Sequence, residues 1–95
     1  MKFGAAVLAI TAGKQVAREG WNGKGMYIYL TKGREIPADK WETRIPSQKL
    51  TEAEKERGSV IIGDHIDMMN AQGVRIIGWL ASQSDMLADD WYVVR

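Results

Sequence analysis

The chain has 95 residues, a formal net charge of +1 and no cysteine. That length holds one domain and no second. The near-neutral charge excludes the basic stripe of a general nucleic-acid binder, and the missing thiols exclude a disulfide framework, a thiolate zinc site and a thiol nucleophile, which fits a reducing cytoplasm.

In chain order, "MKFGAAVLAITAGK" places Lys2 ahead of a short apolar run, faintly like a secretory signal. Gly4 and Thr11 interrupt that run, and it leads directly into patterned sequence, so it reads as a helix over residues 3 to 12. Phe3, Val7, Leu8 and Ile10 lie near helical spacing, and Gly13 supplies the stop. No other apolar run approaches the length of a membrane span. Lys14 to Arg18 reads as a short strand. The turn "EGWNGKG" follows, with glycines and an Asn that make positive φ available. "MYIYLT", residues 26 to 31, alternates by face as a strand does.

Residues 33 to 58 hold both prolines and a concentration of charge. They read as a variable excursion ending in a helical turn at "TEAEKER", where Thr51 is an N-cap with Glu54 three residues on. "SVIIGDHIDMMN", residues 59 to 70, reads as one strand, "AQG" as a tight turn, and "VRIIGWLA", residues 74 to 81, as the returning strand. "SQSDMLADD" reads as a loop with one helical turn, and "WYVV", residues 91 to 94, as a closing strand. The expected fold is α+β, with an N-terminal helix packed on a mainly antiparallel sheet of about five strands in a single small domain.

The chemistry-bearing residues are sparse. His65, the lone histidine, stands in "DHID" with Asp64 and Asp67. On a strand only His65 and Asp67 share a face, too few for a zinc site, so a solvated strand face is the reading and no metal is expected. One histidine with scattered serines gives no triad, and Asp89 with Asp90 suits a turn or helix cap. "GWNGKG" lacks the Lys-Ser/Thr pair of a phosphate loop and leads into a strand where such a loop needs a helix. No catalytic residue and no cofactor follow from these patterns.

The aromatics say more. Trp91, just before "YVV", reads as core. Trp21 lies in a glycine-rich turn, and such turns normally run on the surface. Trp79 precedes a loop carrying Ser82, Gln83, Ser84 and Asp85. A rigid aromatic beside small polar groups suits stacking on a planar ring with hydrogen bonds to its edge. Core packing and ligand contact both stay open for Trp21 and Trp79 on the residues alone.

Taken together, "FGAAVLAITAGKQVAREGWNGKGMYIYL" at residues 3 to 30 and "GWLASQSDMLADDWYVV" at 78 to 94 resemble the two signature blocks of a phage family, the second type of Thoeris anti-defence protein (Tad2-like). The blocks cover close to half the chain and leave residues 33 to 75 outside the likeness. The resemblance implies a non-enzymatic sponge. It would bind cyclic ADP-ribose isomers made by TIR-domain enzymes, and for some members cyclic dinucleotides of cGAS-like systems, without cleaving them. It also implies a homotetramer with ligand pockets between subunits, in the cytoplasm of an infected bacterium, and no DNA, RNA or membrane partner.

Under that resemblance, Trp21 and Trp79 stack on or wall the bases. Asn22 and the backbone of Gly23, Lys24 and Gly25 meet ribose or pyrophosphate. Ser82, Gln83 and Asp85 bond a base edge or ribose hydroxyls. Arg18 either neutralises a phosphate or makes an ion pair, and Trp91 and Met86 pack. Two other readings compete. One is an enzyme that degrades the signal, with His65 and its neighbouring aspartates as the only candidates. The other is an interaction module that binds a host immune protein directly.

Overall fold

Period-two alternation becomes seven strands in two antiparallel sheets in a computed structural model that describes residues 1–95. The chain divides into two compact units, Met1–Thr31 with His65–Arg95, and Lys32–Asp64. The first unit opens with α1 (Phe3–Thr11), β1 (Val16–Arg18) and β2 (Tyr27–Thr31). The chain then forms β3 (Arg34–Pro37), α2 (Ala38–Arg44), α3 (Glu52–Arg57) and β4 (Ser59–Ile62) in the second unit. It re-enters the first as β5 (His65–Met69), β6 (Arg75–Ile76), α4 (Gln83–Leu87) and β7 (Trp91–Val93). The α+β expectation holds, with an N-terminal helix and a mainly antiparallel sheet.

The first unit is built on a five-stranded sheet in the order β6-β5-β2-β1-β7. Val16 lies opposite Ile28 on one side and Val93 on the other. Because strand side chains alternate, Val16, Ile28 and Trp91 share a face, and Ala6 and Ile10 of α1 close on them as the buried core. Burying a side chain the size of Ile10 or Ile28 contributes about 1.5–3 kcal/mol. α1 stops at Gly13, whose N–H bonds to the Ile10 carbonyl at 2.9 Å and whose φ of +91° suits only glycine well. No helix is long and apolar enough to cross a membrane.

The second unit pairs β3 with β4 from Arg34 opposite Ile62 to Pro37 opposite Ser59. α3 begins with the expected capping box: Thr51 Oγ1 accepts from Glu54 N–H at 3.2 Å, and Glu54 Oε1 accepts from Thr51 N–H at 2.9 Å. At the base of the ladder, Asp64 Oδ1 accepts from the Gly33 N–H at 2.7 Å. A side chain at position 33 would collide with the Ile62 carbonyl, so glycine is needed there.

Four expectations change. The excursion carries β3 and α2, which the sequence pattern did not announce. Residues 59 to 70 are not one strand. Gly63 and Asp64 break them into β4 of the second unit and β5 of the first. The returning strand shrinks to Arg75–Ile76, because Gly78 takes a φ of +86° and the Trp79 N–H bonds to the Ile66 carbonyl at 2.8 Å. The "DHID" segment is not a solvated face, since Asp67 is 2% exposed.

Candidate functional site

The glycine turn after β1 is held by its neighbours. Gly20 N–H donates to Asp90 Oδ2 at 2.8 Å, and Trp21 N–H donates to the Arg18 carbonyl at 3.3 Å. A Cβ on Gly20 would press on the Asp90 carboxylate, and one on Gly23 would press on Met26 and Ala71. These two glycines are there for close approach. Gly25, at φ +78°, is there for conformation.

The turn folds Trp21 back onto an aromatic cluster. Its ring centre lies 5.3 Å from Trp91 and 6.3 Å from Trp79, both edge-to-face. Trp79 lies 6.1 Å from Trp91, and Phe3 touches both Trp79 and Trp91. Such pairs contribute about 0.5–1.5 kcal/mol each beyond the area they bury. Trp91 is buried, as expected, whereas Trp21 and Trp79 are half-buried: each has one side in the cluster and one reaching solvent. The two readings left open for them are therefore not exclusive.

Asp85 joins the segments. Its N–H donates to Ser82 Oγ at 3.0 Å, and its Oδ2 accepts from the Ser82 N–H at 3.1 Å, which closes a capping box on α4. Its Oδ1 accepts from Arg18 Nη1 at 2.8 Å and from Trp21 Nε1 at 3.2 Å. Its carbonyl accepts from Trp91 Nε1 at 2.9 Å. Arg18 Nε donates to Asp90 Oδ1 at 2.8 Å.

The charges respond to this arrangement. Burial pushes the Asp85 carboxyl up, but the Arg18 guanidinium, the Ser82 N–H and the Trp21 indole together hold it below the usual range. Arg18 holds Asp90 low as well, helped by the Gly20 N–H, and both carboxylates raise Arg18.

On the outer side of Trp21 lies a cleft of about 280 Å³. It is lined by five of the anticipated residues, Arg18, Trp21, Gly23, Lys24 and Gly25, together with Glu19, Met26, Tyr92 and Val94. The last four escaped the sequence reading. Alternation along "WYVV" carried a signal for two of them: if Trp91 and Val93 face the core, Tyr92 and Val94 face the other way. Asn22 is exposed beside the cleft without lining it. Trp79, Ser82, Gln83 and Asp85 stand outside it: Trp79 packs behind Trp21, Ser82 and Asp85 cap α4, and Gln83 is exposed. Met86 is 46% exposed.

A larger cleft of about 380 Å³ lies within the second unit, lined by Glu42, Pro46, Gln48, Lys49, Leu50 and Lys55. It offers no aromatic face for a planar ligand, so the Trp21 cleft is the better candidate despite its smaller volume. His65 Nε2 stands 3.3 Å from Asp67 Oδ2, and no third acidic or imidazole group joins them to hold a metal ion.

A model of the Thoeris anti-defense 2-like domain (Tad2-like) matches residues 1–94. Thoeris anti-defense 2 of Bacillus phage SP01 is 33% identical over 94 residues, which cover 99% of this chain and 94% of that protein. The chain belongs to the Thoeris anti-defense 2-like family. The match includes residues 33 to 75, which lie outside the two signature blocks.

Proposed function

From that membership we propose that the protein serves phage anti-defence as a sponge. It binds cyclic ADP-ribose isomers made by TIR-domain enzymes inside the infected bacterium and withholds them without cleaving them. The observation that carries the reading is the cleft beside Trp21, in a chain whose family is an anti-defence one. The solvent-side face of Trp21 suits a planar base. Gly23, Lys24 and Gly25 line the same cleft, and backbone N–H groups of such a turn suit a ribose or pyrophosphate oxygen. Lys24 supplies the cation, because Arg18 is already neutralised by Asp85 and Asp90.

The two carboxylates paired with Arg18 are not tuned for cleavage. A general acid or base works best with a pKa near the working pH, and Asp85 and Asp90 are shifted the other way. Asp85 also has both oxygens engaged within the chain.

Assembly belongs to the same proposal. A cleft of about 280 Å³ falls just below the range of ligand pockets, which run about 300–1,000 Å³. Starving a receptor needs a dissociation constant on the order of nanomolar, about −12 kcal/mol, and enclosure by a second chain is one way to reach it. Leu8, Ile77, Leu80 and Leu87 are each more than 70% exposed, which supports burial between subunits of a homotetramer. The same side chains favour the rival reading, direct binding of a host immune protein.

Native mass spectrometry with a cyclic ADP-ribose isomer tests the proposal, since it reports subunit count and ligand stoichiometry together. Heating the complex and chromatographing the released ligand completes the test. Intact ligand is the expected result. Recovery of a cleaved product, or capture of a host protein with no cyclic nucleotide bound, overturns it.

A further inference from the structure

The Asp67 carboxylate plays no part in the cleft, yet it is the most deeply buried charged group of the first unit, at 2% exposure. A carboxylate is costly to bury unless each oxygen finds donors. Here Oδ2 accepts from Thr31 Oγ1 at 2.6 Å and faces His65 Nε2 at 3.3 Å, while Oδ1 accepts from the Gly78 N–H at 2.7 Å. Thr31 and His65 are opposite one another on β2 and β5, so Asp67 is set from within the sheet. The Gly78 contact reaches out of it.

That contact explains why "VRIIGWLA" does not run on as a strand. The Asp67 carboxylate holds Gly78, and the carbonyl of the preceding residue, Ile66, holds Trp79 at 2.8 Å. Two consecutive residues of β5 thus grip two consecutive residues of the departing chain. Gly78, at φ +86°, lets the backbone swing away from β6, and the swing delivers the Trp79 ring to within 6.3 Å of Trp21.

We propose that Asp67 is a positioning residue for the tryptophan wall: through Gly78 it sets Trp79, and through Trp79 the orientation of Trp21 at the cleft. Its effect on ligand affinity rests on the sponge reading given above, whereas its effect on the tryptophans does not.

The near-ultraviolet circular dichroism of the ligand-free protein reports the tryptophan arrangement directly. Calorimetric affinity for a cyclic ADP-ribose isomer reports the consequence. Asp67→Ala is expected to flatten the near-ultraviolet bands while far-ultraviolet helix and strand signals persist, and to weaken binding about tenfold or more. Asp67→Asn is expected to restore both, since its carbonyl oxygen still accepts from Gly78 and its amide donates to Thr31 Oγ1. Thr31→Val, which leaves the Gly78 contact in place, is expected to keep the wild-type spectrum. Val60→Ala, a core truncation in the second unit, controls for lost stability: it should lower the melting temperature without altering the spectrum.

An unchanged spectrum in Asp67→Ala overturns the proposal, as does an Asn variant no better than the Ala one. If Asp67→Ala fails to fold, the Asn and Val variants decide: both spectra must match wild type, and a changed spectrum in either overturns the proposal. If wild type binds no cyclic nucleotide, the sponge reading fails while the spectra still judge Asp67.

Discussion

Arg18 grips Asp85 with Nη1 and Asp90 with Nε, each at 2.8 Å. One guanidinium on β1 thereby ties the middle of α4 to the bend before β7. The fork is what makes this work: two nitrogens of fixed geometry meet two carboxylates five residues apart in sequence, and a lysine ammonium has no such reach. Arg18→Lys is therefore expected to lower the melting temperature nearly as far as Arg18→Ala, because either change leaves Asp85 short of a donor in a nearly buried position. Loss of the α4 cap is a separate injury. Ser82→Ala should cost about 1 kcal/mol, read as a shift in the urea midpoint at constant slope.

Acid should unfold the first unit through its aspartates. Asp67, Asp85 and Asp90 all have folded-state pKa values below the ordinary one. A group depressed in this way contributes stability in full above its unfolded value of about 3.9 and loses it as the pH falls through the lower folded value. From these groups the melting temperature should stay flat between about pH 5 and 7 and fall below about pH 4. Asp90→Asn should remove part of that acid slope, and a slope unchanged in the variant would show that Arg18 does not hold Asp90 as described.

Trp21 has two contributions that substitution separates. Trp21→Phe keeps an aromatic ring against Trp91 but loses the indole bond to Asp85, a bond to a charged acceptor with a net value of about 1.5–3 kcal/mol. Trp21→Ala loses both. Calorimetry with a cyclic ADP-ribose isomer should find affinity reduced in Trp21→Phe and reduced at least tenfold further in Trp21→Ala, both proteins being folded by far-ultraviolet circular dichroism. Equal, undiminished affinity in the two would remove Trp21 from the site.

Leu80 and Leu87 are 92% and 85% exposed, so charging them costs a single chain almost nothing. Leu80→Glu and Leu87→Glu should leave secondary structure intact and reduce the subunit count in native mass spectrometry. An unaltered subunit count in both variants would remove these leucines from the proposed interface.

What could be read ahead of the structure follows the range of the forces involved. α1, β2 and the Thr51–Glu54 cap depend on residues within a turn of each other, and their patterns were plain. The Ser82 and Asp85 pair carries the same cap spacing, yet those residues read equally well as ligand donors, because the partner that commits Asp85 is Arg18, 67 residues away. β3, "REIP", is too polar and too short to announce itself, and exists by pairing with Ile61 and Val60 of β4. The break at Gly63 was hidden for the same reason: "SVII" and "HIDMM" look like one strand until their different partners are known. Trp21 resisted a single assignment because it has two faces, and only the placement of Trp79 and Trp91 shows which one packs.

The last rung of the β2–β5 ladder sets Thr31 opposite His65. Everything between them, residues 32–64, therefore departs and returns at the tip of a single hairpin. Topologically the second unit is an appendix: a two-residue turn would close the same ladder. Its length and content can be rewritten without rethreading any strand of the sheet that carries the cleft, which makes it the natural place for this scaffold to acquire variety.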